Sequence, residues 1–190
     1  FYFPYFIYGK MSNITFKPLT KSHLELLLKW LKTPHVKAWW DQDVQWTMKL
    51  IEEKYGHYIK GYKKLKLEGK IIKKLMWAFV IFFEEMPIGY IQCYNVHDFP
   101  REQGYDISEL PASCAGVDWY IGEVEFTGKG IGTKVLSDFF NQHVFPTFKY
   151  VFVDPDTANT RAIRVYTKTG FTVIKKVNDG KITWMLCEKG

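Results

Sequence analysis

The stretch Phe126-Thr127-Gly128-Lys129-Gly130-Ile131-Gly132 sets three glycines at alternate positions. It follows a run with strand character (residues 114–121) and precedes an amphipathic run (residues 131–144). A strand, a glycine turn and a helix start together make an anion-binding site. The first N–H groups of a helix have no intrahelical partner, and the helix dipole adds positive potential there. Glycine lets the backbone approach a phosphate closely and take up positive φ. Spacing excludes two common phosphate loops. A Walker loop ends in Gly-Lys-Ser/Thr, whereas Gly132 is followed by Thr133-Lys134. A dinucleotide fingerprint reads G-x-G-x-x-G near the first strand; this one reads G-x-G-x-G, two-thirds along the chain. The signal is strengthened by Asp118, ten residues before the first glycine, and by Asn159, Tyr166 and Gly170-Phe171 downstream.

These residues need a scaffold, and the hydrophobic pattern supplies one. Residues 14–17 read as a first strand. Leucines at helical spacing over 22–31, with a cap at Thr20 or Ser22, predict a helix that Pro34 closes. Met48, Ile51, Tyr55 and Ile59 share one face of a second helix over 46–62. Residues 76–83 and 87–96 form a hairpin around Glu84-Glu85-Met86, and a long loop (97–113) precedes the strand that carries Asp118. The helix after the glycine loop stops before Pro146. A strand over 150–153, a helix over 158–169 ended by Gly170, and a hairpin over 171–187 turning at Asp179-Gly180 complete the chain. This order predicts an α/β layer fold with a mixed sheet. Nothing in the pattern divides the chain, so one domain over 11–190 is expected. The aromatic residues 1–10 make a poor signal peptide and read as an extension upstream of Met11.

Composition agrees with a globular enzyme: 190 residues, 47% hydrophobic, can bury one sufficient core. The three cysteines (Cys93, Cys114, Cys187) are widely spaced and suggest neither a disulfide framework nor zinc. No metal site is expected, no apolar run reaches the length of a membrane span, and a reducing cytoplasm is the simplest setting. The net charge of +6 is unevenly spread. Residues 54–74 carry eight lysines and one glutamate, whereas residues 98–125 carry seven acids and one arginine. The acidic stretch surrounds Asp118, where a cationic substrate would be welcome.

The glycine loop, followed by Asn159-Thr160-Arg161-Ala162-Ile163-Arg164-Val165-Tyr166 and Gly170-Phe171, resembles the GNAT superfamily of N-acetyltransferases. Within it, the chain is most similar to aminoglycoside 6'-N-acetyltransferases. That likeness rests on His35-Val36-Lys37-Ala38-Trp39-Trp40, Pro87-Ile88-Gly89-Tyr90, Gly116-Val117-Asp118 and Asp154-Pro155. The resemblance implies a mixed, mostly antiparallel central sheet flanked by helices, with acetyl-CoA as co-substrate. It implies cofactor contacts at Thr127, Gly128, Lys129, Gly130, Ile131, Gly132, Thr133 and Asn159. Thr127 stands where the family has Gln or Arg. The lysine-rich run then reads as a solvated helix end and loop, or as a rim for the phosphates of coenzyme A, rather than a nucleic-acid contact.

An amine attacks an acetyl thioester only when neutral. The resemblance gives Asp118 the role of proton acceptor or ammonium anchor, and gives Tyr166 that of proton donor to the leaving thiolate. It implies acceptor contacts at Trp40, Tyr55 and Asp154, where an aromatic shelf and carboxylates suit a polycationic sugar. Arg161 and Arg164 receive no specific role. The expected acceptor is the 6'-amine of an aminoglycoside, met by a monomer or homodimer without nucleic-acid or membrane partners. The alternatives are another amine (a siderophore precursor, a polyamine or a protein amine) and a non-catalytic acyl-CoA-binding module. Only the module has no need of Asp118 and Tyr166.

Overall fold

Strand-forming runs with different residues on their two faces decide this fold, because each face of the sheet meets its own layer of helices. The computed structural model describes residues 6–7, 10–11, 13–100 and 105–190. The expectation for residues 1–10 therefore lies largely outside the described residues; within them, β1 (Phe6–Ile7) pairs with β2 (Lys10–Met11). From there the chain runs β3 (Ile14–Pro18), α1 (Leu24–Leu31), α2 (Pro34–Lys37) and α3 (Met48–Tyr58). The hairpins β4 (Tyr62–Leu67) with β5 (Lys70–Leu75) and β6 (Trp77–Phe83) with β7 (Met86–Asn95) follow. The last part comprises β8 (Cys114–Ile121), α4 (Ile131–Phe139), β9 (Tyr150–Val153), α5 (Thr160–Lys168), β10 (Thr172–Val177) and β11 (Ile182–Glu188).

Seven strands form the central sheet in the order β10-β11-β9-β8-β7-β6-β3, and every pairing is antiparallel except β8 with β9. The expected mixed, mostly antiparallel α/β class is the one observed. Period-two alternation sorts the side chains. Val80, Phe82, Tyr90, Tyr94 and Tyr120 join the core under α1 and α3, with Leu27, Trp30, Ile51 and Tyr55. Ile81, Ile91, Cys93, Val117 and Val151 join the opposite core under α4, with Val135, Leu136 and Phe139.

Several local expectations shift. Pro34 opens α2 at its first turn instead of only closing α1, since a proline lacks the N–H that position leaves unpaired anyway. Thr47 caps α3 by accepting from the Leu50 N–H at 3.3 Å, so this helix starts later and stops earlier than 46–62. The helix after the glycine loop changes after Phe139 to a π-helical turn over Phe140–Val144. The lysine-rich run begins as expected, at the end of α3 and the turn after it, but from Tyr62 on it is a two-stranded hairpin of β4 and β5 turning at Glu68-Gly69, both at positive φ.

Candidate active site

The glycine loop closes the gap between β8 and α4. Gly128 and Gly130 sit at φ of 74° and 78°, where a β-carbon is strained, and Gly130 is the residue from which α4 starts. Gly132 is small for another reason: a β-carbon there would lie 2.9 Å from the Trp119 ring, so glycine lets α4 rest against β8. The ladder between β8 and β9 ends at Gly116 and Phe152, while β8 continues to Ile121. Beyond Gly116 the β9 side of β8 opens into a cleft of about 550 Å³. Thr127, Gly128, Gly130, Gly132 and Thr133 line one end of it, together with Asn159 and the face of α5 that carries Tyr166.

Two expected cofactor contacts are narrower than foreseen. The Ile131 side chain is buried in the core under α4, which leaves only its backbone for a ligand. Lys129 is not among the residues lining the cleft. The Thr127 hydroxyl donates to the Val124 carbonyl at 2.8 Å and so closes the preceding turn. Asn159 is the cap of α5 rather than a residue within it; its Oδ1 accepts the Ala162 N–H at 3.1 Å, and the residue lines the cleft.

Asp118 and Tyr166 approach the cleft from opposite faces of β8. Asp118 lies on the face of Tyr90 and Gln92, and these three side chains form a relay. The Tyr90 hydroxyl donates to Gln92 Oε1 at 2.7 Å, and Gln92 Nε2 donates to Asp118 Oδ2 at 2.8 Å. Gln92 and Tyr90 are buried, so the relay fixes one carboxylate oxygen of half-buried Asp118 and leaves Oδ1 for another donor. The next residue, Trp119, turns the other way and donates its indole N–H to the Tyr166 oxygen at 3.1 Å. That bond uses a lone pair, and the phenolic hydrogen remains to be donated. Burial pushes the Tyr166 phenol well above the ordinary tyrosine value; the Trp119 bond opposes this, and the charges of Asp118 and Asp154 add to it.

A second cavity, of about 340 Å³, adjoins the cleft. Trp39, Trp40, Asp118 and Asp154 line both, so they mark the junction. Trp40 stands edge-on to Tyr120 with ring centroids 5.0 Å apart, while Trp39 is 47% exposed and forms the freer shelf. Just after them, Asp41 adopts a left-handed backbone (φ 44°), and its carboxylate accepts from Lys54 Nζ at 2.8 Å. Tyr55 does not reach the cavity: it is fully buried, its ring packed edge-on against Tyr58 and Tyr90. Tyr58, almost one helical turn on, lines the wall instead. Asp156 caps the Ala158 N–H at 2.7 Å, leaving Asp154 as the strand-end carboxylate of the junction.

Charge is distributed differently from the sequence expectation. Three of the six described acids of that stretch are spent in ion pairs: Asp98 with Lys74 at 2.7 Å, Glu123 with Lys29 at 2.6 Å, and Glu109 with Lys175. Asp118 alone of the described acids in that stretch lines either cavity. No lysine of the hairpin lines the cleft; Lys54 and Lys63 line the second cavity. The cations at the cleft are Arg161, Arg164 and Lys168, all on α5. Tyr58, Gln92 and Lys168 were missed from the sequence, and alternation on β7 could have flagged Gln92 as a polar residue on an otherwise aromatic face.

The family model of the acetyltransferase (GNAT) domain matches residues 20–179. This chain belongs to the GNAT family. Its enzyme class is accordingly that of acetyl-CoA-dependent N-acetyltransferases. Aminoglycoside N(6')-acetyltransferase type 1 of Klebsiella pneumoniae is 26% identical over 165 residues, 84% of this chain and 74% of that protein. Among solved structures, the enzyme AAC(6')-Ib in complex with paromomycin and acetyl-CoA matches with a TM-score of 0.73 at 26% identity, over 93% of each chain. The same enzyme with coenzyme A and kanamycin matches with a TM-score of 0.72 at 26% identity, over 93% of this chain and 95% of that one. Among the described residues of this GNAT protein, no helix is long and apolar enough to cross a membrane, and no group of His, Cys, Asp and Glu could hold a metal ion.

Proposed function

We propose that this GNAT protein transfers acetyl from acetyl-CoA to the 6'-amine of an aminoglycoside. The observation that carries the reading is the junction, where Asp118, Asp154, Trp39 and Trp40 line both cavities. A carboxylate pair and an aromatic shelf at the meeting point suit a sugar amine held at the end of a cofactor cleft. The likeness to AAC(6')-Ib bound to coenzyme A and kanamycin supports it.

The cleft has the donors that acetyl-CoA requires. Backbone N–H groups from Gly128 to Thr133 would hold the pyrophosphate, and the open side of β8 with the Asn159 amide would hold the pantetheine amides. When bound, acetyl-CoA supplies the activated acetyl group as a thioester. Asp118 Oδ1, left open by the relay through Gln92, anchors the acceptor ammonium and takes its proton, directly or through a water. Asp154 holds a further ammonium of the acceptor. Tyr166 Oη stays protonated at the foot of the cleft and supplies that proton to a leaving thiolate.

A second reading has one specific observation in its favour. Lys54 and Lys63 in the acceptor wall would suit an amine that also bears a carboxylate or phosphate, although Asp41 neutralises Lys54. A comparison of acceptors separates the two. Kanamycin-like aminoglycosides with a 6'-amine should release thiol from acetyl-CoA, and analogues with a 6'-hydroxyl should not. Equal release from both, or release only with an amino acid-like or polyamine acceptor, would overturn the aminoglycoside reading.

A further inference from the structure

Resting on the cofactor reading above, we infer that the cleft-facing side of α5 is a binding site for the 3'-phosphate of coenzyme A, with Arg164 and Lys168 as its cations. Arg161, Arg164 and Lys168 are spaced three and four apart, so they form one stripe along the helix. All three are exposed and all three line the cleft that holds the glycine loop. Like charges at this spacing repel one another, and none of the three is ion-paired among the described residues. A stripe of uncompensated cations along a cleft asks for an anionic ligand.

The geometry divides the stripe. Arg161 leans to the glycine loop: its Nη2 lies 3.7 Å from where a β-carbon on Gly128 would stand. It therefore belongs with the loop and the pyrophosphate. Arg164 and Lys168 lie about 4.5 Å and 10.5 Å further along the axis, at the rise of an α-helix. The pyrophosphate, with one charge per phosphate, is answered by the loop N–H groups and Arg161. Two more cations at the solvent edge match a phosphate monoester, which carries close to two charges at neutral pH and accepts several charge-assisted hydrogen bonds. Coenzyme A has one such group, on its 3'-oxygen. The enzyme should therefore discriminate the 3'-phosphorylated donor from its dephospho form.

Calorimetric titration with coenzyme A and with 3'-dephospho-coenzyme A tests this without any acceptor. The wild type should bind the dephospho form about tenfold more weakly, and the difference should shrink as salt rises. Arg164→Ala combined with Lys168→Ala should bring coenzyme A down to the affinity of the dephospho form and leave the latter unchanged. Arg161→Ala should weaken both ligands alike. Equal binding of the two ligands by the wild type, or full discrimination by the double variant, would overturn the inference while sparing the cofactor reading. No binding of either ligand would overturn both.

Discussion

The cleft and the acceptor cavity share a wall but are built on opposite plans. The cleft draws mainly on two stretches, 127–133 and 159–168, together with the open side of β8, with smaller shares from residues 35–40 and 153–156, and much of its recognition comes from backbone N–H groups and helix starts. The cavity gathers single side chains from the Trp39–Trp40 turn, α3, β4, β7, the loop after β7, β8, the end of β9 and β11. A site made from backbone keeps its ligand through sequence change, because only glycines and a cap must be kept. A site made from scattered side chains can change its ligand by single substitutions. The first plan suits a common cofactor, the second a variable acceptor.

If the two regions are separable, substitutions should sort by region, with the junction apart from both. The largest effect is expected at the junction: Asp118→Asn should lower kcat on the order of 10²-fold or more while coenzyme A affinity is unchanged by calorimetry. Wild-type turnover in that variant would remove Asp118 from the proton transfer. Next, Gly130→Val forces a β-branched residue to φ 78° and should raise KM for acetyl-CoA about tenfold or more. If KM for the acceptor rises equally in a folded protein, the two regions are coupled and the division fails. Asp154→Asn should act the other way, raising the acceptor KM several-fold and sparing cofactor affinity; a change confined to acetyl-CoA would reassign that carboxylate to the cleft. Tyr166→Phe should lower kcat only several-fold, since water can supply the proton in place of the phenol.

The smallest effect appears only in alkali. Burial raises the pKa of Tyr58 in the wall of the acceptor cavity, of Tyr55, Tyr90 and Tyr120 behind it, and of Tyr166 beside the cleft. The folded protein keeps these phenols neutral, whereas the unfolded chain ionises them near pH ~10. The unfolded state then binds fewer protons, so stability falls as pH rises above about 10 and is insensitive to these groups below that. Melting scans should show this loss, and five of the chain's twelve tyrosines should add their phenolate absorbance only on unfolding. Phenolate absorbance from all twelve in the folded protein would mean that the cavity's aromatic wall admits water.

What the sequence disclosed follows the same division. Gly128, Gly130 and Gly132, Asn159 and Tyr166 are close in sequence, and their spacing carried both the fold class and the cleft. Asp118 was legible because it shares a strand with the approach to the loop. The acceptor wall was not, because it depends on which turn of α3 faces inward: Tyr55 and Tyr58 differ by three residues and only the structure separates core from wall. The lysine hairpin was misread because β4 and β5 lack a regular apolar alternation, with Ile71 and Leu75 exposed rather than covered. Net charge over a segment also misled. Ion pairs such as Asp98 with Lys74 join residues from oppositely charged segments, so charge is cancelled in space and not along the chain.

The buried cysteines give this enzyme an internal clock. Cys93, Cys114 and Cys187 are all reduced and all covered, and burial pushes the Cys93 thiol up to about 12. A chromogenic disulfide reagent added to the folded enzyme should meet almost no protein thiolate, so its early colour reports coenzyme A alone. The slow colour that follows, with no substrate present, counts openings of the core. Because Cys93 and Cys114 lie on β7 and β8 while Cys187 lies on β11, mass analysis of which thiol is labelled first would tell which side of the sheet breathes before the other.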